Sequence, residues 1–320
     1  MEFPYKRALV TGGAGFIGSH IVEELLTFGV KVVCVDNFLA GKVENINPFL
    51  KNKNFIMKRV DITDYNKLKP CFKDVDVVFH NAASKKTVCM KDPRLDLKIN
   101  GGGTFNLLEL SRASDVKKFV HASTGSVYGE PQYSPQDENH PLKPVSYYGV
   151  SKLAGERYID VFHHLYGMNT TILRYFHVYG PRQDSSDYGG VVSIFVKRLL
   201  NDQPPIIHGD GTQQRSFTYV KDVVKANILV SNHKKTNGEV YNCASGAKIT
   251  IQQLADLLRK HMNRENIKET YDDWAPGDIK VFDVSSQKLQ ALGMKFETSF
   301  DDGLKETIKS EDDIRKGYIS

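Results

Sequence analysis

The chain has 320 residues, about two domains' worth, and its 40% hydrophobic and 25% charged content describes a soluble globular protein with a sizeable core. Its 43 basic and 38 acidic residues leave a formal charge of +5, interspersed with no basic run followed by aromatics, which speaks against a nucleic-acid partner. No apolar run approaches the ~18 residues of a membrane span, the N-terminus has no signal-peptide pattern, and Cys34, Cys71, Cys89 and Cys243 lack metal-ligand spacing, so a cytoplasmic protein with reduced thiols and no metal is expected.

In chain order, β-branched runs at 8–10, 31–35, 55–60, 75–80, 118–121 and 170–174 alternate with amphipathic stretches such as Ile17, Ile21 and Leu25, closed by Gly29. That rhythm predicts an α/β fold of Rossmann type, a doubly wound parallel sheet covered on both faces. After residue 175 the rhythm loosens, and turns at 179–182, 204–205 and 209–211 separate helices expected at 191–200, 220–230, 251–261 and 301–308. The expected division is a dinucleotide-binding domain over 1–174, with segments near 215–245 returning to it, and a smaller C-terminal α/β substrate lobe over 175–320.

The first run leads into "ALVTGGAGFIGSH", which places Gly12, Gly15 and Gly18 between a strand and a helix. Side chains there would keep a pyrophosphate from the helix N-terminus, whose free N–H groups attract anions. The second strand ends at Asp36, about 20 residues on, where a carboxylate holds a ribose diol and repels a 2′-phosphate, so NAD is expected over NADP. Asp61-Ile62 and the Ala82-Ala83 pair after His80-Asn81 each follow a later strand, where adenine and nicotinamide ribose would lie; either can equally be a plain strand end.

The fifth run ends near Ala122 and offers three hydroxyls, Ser123, Thr124 and Ser126, any of which could align a reacting oxygen. Next comes "PVSYYGVSK", a helix capped by Ser146 and running to Gly167. Residues four apart share a helix face, so Tyr148 pairs with Lys152 and Tyr147 does not. A phenol ionises near pH 10, and an ammonium beside it and the positive nicotinamide of an oxidised cofactor both favour the phenolate; Tyr148 is then expected to take a hydroxyl proton as hydride leaves the same carbon.

Together these motifs resemble the extended short-chain dehydrogenase/reductase family, in its nucleotide-sugar epimerase/dehydratase branch, which includes UDP-glucose (UDP-galactose) 4-epimerases. The likeness covers nearly the whole chain, through "VTGGAGFIGSH", "VDNFLAGKVENIN", "HASTGSVYGE", "HPLKPVSYYGVSK", "LRYFHVYGPRQ", "HGDGTQQRSFTYVKDVV" and "PGDIKVFDVSSQKL". It implies a catalytic triad of Thr124, Tyr148 and Lys152, and extends the NAD-binding set to Phe16, Ile17, Asn37, Phe38, Gly41, Ser84 and Val178. It makes 175–320 a nucleotide-sugar-binding lobe. Arg215 matches an arginine that clamps the nucleotide diphosphate, Lys85 a lysine near cofactor and sugar, and Val191 a position whose backbone meets the base. Ser126, Tyr148, His177 and Asp278 fall on further substrate-facing positions.

Two positions depart from the family pattern. The usual "RYFN" ends in His177, and the arginine usually three residues before the aspartate of "GD" is Ala275, preceded by Trp274. Both bear on sugar and nucleotide identity and leave hydride chemistry untouched. The Lys85-Lys86 pair suits an anionic sugar such as a uronate. Relatives that dehydrate or decarboxylate carry a carboxyl just after the triad threonine, whereas this chain has Thr124-Gly125-Ser126. The resemblance thus implies NAD-dependent C4 epimerisation of a nucleotide-diphosphosugar: a UDP-hexose, UDP-N-acetylhexosamine or UDP-uronate. The rivals are a dehydratase or decarboxylase of the same family, or a non-catalytic NAD-binding sensor. The family also implies a homodimer through helices near 94–111 and 147–166.

Overall fold

All six β-branched runs become strands of one sheet in the computed structural model, which describes residues 3–84, 86–186, 189–274 and 282–317. They are β1 (Arg7–Thr11), β2 (Lys31–Asp36), β3 (Phe55–Arg59), β4 (Val77–His80), β5 (Lys118–Thr124) and β6 (Thr170–Tyr175). The order is β3-β2-β1-β4-β5-β6, and a seventh strand, Glu239–Cys243, extends the sheet beside β6. Every pairing is parallel. Strand order reverses between β1 and β4, and that reversal opens a crevice at the carboxyl ends of the strands.

Side chains alternate along a strand, so each strand feeds two cores. Val10, Cys34, Phe79 and Leu173 face helix α1 (Phe16–Thr27) and the Val220–Asn232 helix. Leu9, Val33, Val78 and Ile172 face the Thr104–Ala113 and Tyr147–Tyr166 helices. A third core lies in the C-terminal half, where Phe195, Leu199 and Leu258 pack with Tyr179 and Tyr219. Phe16 and Ile17 pack against it as well, which ties that core to the glycine turn.

Two boundaries differ from expectation for physical reasons. β5 runs on to Thr124 because β6 stays paired to its end, Ser123 opposite Arg174 and Thr124 opposite Tyr175. The helix expected at 94–111 is instead Pro93–Leu97, a π-helical turn over Lys98–Gly103, and Thr104–Ala113. A π turn inserts one residue into the helical repeat, and here it turns Asn100 and Thr104 inward.

Lys118, at the far end of β5 from the crevice, is buried with its ammonium on Thr236 Oγ1 (3.0 Å) and Asn237 Oδ1 (2.6 Å). Burial draws its pKa down to about 7. The folded chain therefore binds fewer protons than the unfolded chain between about pH 7 and the ordinary lysine value, and stability rises with pH across that window. Lys118→Met removes up to about 1.4 kcal/mol per pH unit of that slope. Urea denaturation of both proteins between pH 7 and pH 10 measures the difference; equal slopes would contradict it.

Candidate active site

The crevice holds a cavity of about 650 Å³, walled by the glycine turn, the ends of β2, β3 and β4, and the start of the Tyr147–Tyr166 helix. Gly12, Gly15 and Gly18 line it together with Phe16 and Ile17. Gly12 has φ +66°, and a Cβ there would come 2.8 Å from the Ala82 nitrogen. Opposite, Asp36 accepts hydrogen bonds from the backbone N–H of Ala14 (3.0 Å) and Phe38 (2.8 Å). Burial raises the Asp36 pKa against those two donors. A Cβ on Gly41 would lie 2.8 Å from both Asp36 oxygens, so only glycine leaves that carboxylate a face toward the cavity. Asn37 also lines the wall and donates to Asp61 Oδ2 (2.8 Å), while Ile62, Ala82, Ala83 and Ser84 complete it. Burial opposes ionisation of Asp61, but hydrogen bonds from Thr63 and Asn37 and the Lys98 charge hold its pKa below the ordinary value. This cradle fits a dinucleotide: small residues at the anion-attracting helix start and a carboxylate at the second strand's end.

The catalytic helix begins where expected. Ser146 caps it by accepting from the Gly149 N–H (3.1 Å), and Gly167 closes it at φ 65°. Three residues spaced by four, Tyr148, Lys152 and Glu156, share the face that meets the tip of β5. Tyr148 is hydrogen-bonded to Thr124, Lys152 donates to the Ala122 carbonyl (2.7 Å), and Glu156 accepts from Ser123 Oγ (2.5 Å). Tyr148 and Lys152 both line the cavity. Thr124 also accepts from the Ser126 N–H (3.1 Å) and donates to Ser126 Oγ (3.2 Å).

The electrostatics differ from expectation. Burial first, then the charge of Asp96 and the proximity of Cys89, push the Tyr148 phenol up to about 12, against the Thr124 hydrogen bond. The ammonium does not offset this, because Lys152 is turned to Ala122 and to His121 Nε2 (3.3 Å). Lys152 itself is drawn by burial down to about 8, with Glu156 and Asp96 pulling the other way. In the chain alone the phenol is thus held protonated.

The remaining expected residues scatter. Phe38 contributes its N–H to Asp36, but its ring packs on the core beneath Arg59. Val178 pairs with Thr218 in a short ladder and accepts from Gln183 Nε2 (2.7 Å). His177 (φ 39°) and Arg215 flank the Phe282 ring, at 4.8 Å between rings and 5.4 Å from guanidinium to centroid. Burial, then the Arg215 charge, draws the His177 imidazole down to about 3, so it is neutral. Phe38, Thr124, Ser126, His177, Val178 and Arg215 are not among the cavity-lining residues, and Val191 opens its helix just behind Gly189 and Gly190, which are. Lys85, Ala275 and Asp278 lie outside the described residues.

Sequence reasoning missed one wall of the cavity: Arg182, Gln183, Asp184 and Ser186, with Arg182 anchored to Glu23 (2.7 Å). "GPRQ" was in view, but nothing in its spacing says that it folds back over the glycine turn. Asp96, Asn100 and Glu156 were also missed, although the fours rule applied to Lys152 reaches Glu156 directly.

A doubly wound sheet whose crevice gathers a glycine turn, a strand-end acid and a Tyr-x-x-x-Lys helix defines a dinucleotide-dependent enzyme of the short-chain dehydrogenase/reductase type. The chain belongs to the NAD dependent epimerase/dehydratase family, whose pattern matches residues 8–244. A protein of Methanocaldococcus jannaschii, provisionally named a UDP-glucose 4-epimerase, is 42% identical over 302 residues, covering 94% of this chain and 96% of that one. The UDP-glucose 4-epimerase of Thermotoga maritima, solved with UDP-glucose, is 37% identical with a TM-score of 0.91 over 98% of this chain and 99% of its own. The UDP-glucuronic acid 4-epimerase of Bacillus cereus, solved with UDP-glucuronic acid and NAD, is 33% identical with a TM-score of 0.90 over 96% and 99%.

Proposed function

We propose that this chain is an NAD-dependent 4-epimerase of a UDP-linked hexose or its N-acetylamino or uronate form. The carrying observation is that Tyr148 and Lys152 both line the cleft that fits the dinucleotide, with Thr124 bonded to the Tyr148 phenol and only hydroxyls at the tip of β5. The glycine turn, Asp36 and the walls at 61–62 and 82–84 would hold NAD, which would supply a reversible hydride acceptor. Tyr148 takes the proton of the 4-hydroxyl and returns it once the sugar has presented its other face. Thr124, bonded to that phenol, orients the 4-oxygen. Lys152 keeps one N–H direction for the cleft after Ala122 and His121 take the others. Dehydration or decarboxylation would call for a further acid or base beside C5 or C6, and Gly125 and Ser126 bring none. His177 and Arg215, with Ser126 and Val191, are the candidates for the substrate side, to which the family resemblance adds Lys85 and Asp278; relatives solved with UDP-glucose and UDP-glucuronic acid support a UDP carrier.

Purified protein given a panel of UDP-sugars and no added cofactor is expected to yield the C4 epimer by NMR with no net NADH. Stoichiometric NADH without epimer, or release of water or carbon dioxide, would contradict the assignment.

The molecule is assigned to a cytoplasmic homodimer. Its four cysteines are buried and form no disulfide, and no helix among the described residues is long and apolar enough to cross a membrane. On the catalytic helix Tyr147, Val150, Tyr158, Val161 and Leu165 form an exposed apolar stripe at helical spacing, beside exposed Leu97 of the neighbouring helix. A second copy meeting this stripe would bury it in a four-helix contact. Val161→Glu with Leu165→Glu should halve the mass measured by light scattering; an unchanged mass would place the interface elsewhere.

A further inference from the structure

Behind Tyr148 lies a buried carboxylate that no motif singles out. Asp96, in the Pro93–Leu97 helix, is 1% exposed. Its Oδ1 accepts from Ser84 Oγ and from Asn100 Nδ2 (3.0 Å). Asn100 Nδ2 also reaches Ser151 Oγ (2.9 Å), whose hydroxyl donates to the Tyr148 carbonyl (3.1 Å), and Asn100 Oδ1 accepts from the Ser84 N–H (3.0 Å). A connected polar network therefore joins the cavity wall at Ser84 to the first turn of the catalytic helix. Asp96 Oδ2 has no hydrogen-bond partner among the described residues.

A buried carboxylate is costly unless it is hydrogen-bonded and near a positive charge. The other buried carboxylate near the pair, Glu156, is different, because Arg174 neutralises it through two oxygens. Among the described residues, the groups facing Tyr148 are Cys89 from the Lys86–Lys91 helix, Asp96, and Thr124 from β5, with Lys152 one turn along its own helix. Lys152 meets His121 of β5, with His80 of β4 behind it, and has Glu156 one turn along. Both imidazoles are kept neutral by burial, then by the Lys152 charge. Among these groups Asp96 is the carboxylate whose charge acts on both Tyr148 and Lys152.

We propose that Asp96 is a positioning residue whose fixed negative charge sets the pH range of the Tyr148–Lys152 pair, keeping both groups protonated to higher pH. This rests on the catalytic roles proposed for that pair. In those roles the charge lets Tyr148 keep the proton it takes from the sugar until the hydride returns. The raised phenol and the supported ammonium agree with it.

Asp96→Asn isolates the charge. The amide oxygen keeps the bonds from Ser84 and Asn100, and its nitrogen replaces the one oxygen that has no partner. In the NAD-loaded enzyme, both limbs of the kcat/KM profile should move to lower pH by roughly one unit. The ¹³Cζ resonance of Tyr148, assigned with Tyr148→Phe, should titrate lower by a similar amount. Should the asparagine variant fold poorly, Asp96→Ser, also uncharged, must shift the limbs the same way. A wild-type profile and resonance unmoved in a folded, active Asp96→Asn protein would overturn the proposal and leave the epimerase assignment intact. A wild type that forms no epimer would instead overturn that assignment, while the resonance still reports on Asp96.

Discussion

Tyr148→Phe should lower kcat about 10²- to 10⁴-fold, the range expected when a positioned proton-transfer group is lost. The hydroxyl is the one part of this side chain with chemistry: it is bonded to Thr124 at the tip of β5, and the ring lines the cavity. Phenylalanine keeps the ring, so the cofactor site and thermal stability should change little. KM should hold within a few fold, because an interaction used in the transition state is removed rather than uniform binding. The check is steady-state kinetics alongside bound NAD released on denaturation. A variant that keeps more than a tenth of wild-type kcat would remove Tyr148 from the chemistry.

The largest expected effect on stability comes from the buried ion pair that anchors the catalytic helix. Arg174 grips Glu156 through Nε (3.0 Å) and one terminal nitrogen (2.7 Å), and its other nitrogen donates to the Tyr128 hydroxyl (2.8 Å). Tyr128 in turn donates to Asn242 Oδ1 (2.7 Å), on the strand beside β6. The arginine thus joins the helix that carries Tyr148 and Lys152 to β6 and to the seventh strand. Arg174→Met leaves Glu156 buried and unpaired and should cost about 3–5 kcal/mol. That is about a fifth or more of the ~5–15 kcal/mol that holds a typical domain together. Arg174→Met combined with Glu156→Leu should cost less than Arg174→Met alone, because no bare charge remains. Urea denaturation decides it. A double variant that loses the sum of the two single losses would mean that the pair's hydrogen bonds to Ser123 and Tyr128, not the stranded charge, dominate.

What was legible in the sequence follows from which signals are local. The strands, the glycine turn, Asp36 and the Ser146 cap each depend on a few neighbouring residues and on backbone rules, and each lies where its pattern puts it. Tyr148 and Lys152 were legible because four residues make one helical turn. Less legible were features created by packing between distant segments. The π turn at Lys98–Gly103 arises from three glycines in a run that reads as plain helix. The 182–186 wall folds back onto α1 through Arg182 and Glu23, 159 residues apart in sequence. Electrostatics was least legible of all. Spacing alone sets Lys152 beside Tyr148, yet burial and Asp96 decide the phenol's protonation, and neither shows in a one-dimensional pattern.

The departures at His177 and Ala275 are proposed to bear on sugar and nucleotide identity. His177 is a neutral imidazole beside Arg215, so it offers hydrogen bonds and no charge to a substrate. Hydride chemistry at C4 does not depend on it.

Deuterium at C4 of the UDP-sugar tests the central mechanism most directly. If C4 gives up its hydrogen as hydride and takes the same one back, the epimer formed in ordinary water should keep the label at C4, as read by NMR and mass spectrometry. Epimer carrying solvent hydrogen at C4 would mean that the carbon loses a proton instead, and Tyr148 would no longer be the partner of a hydride transfer.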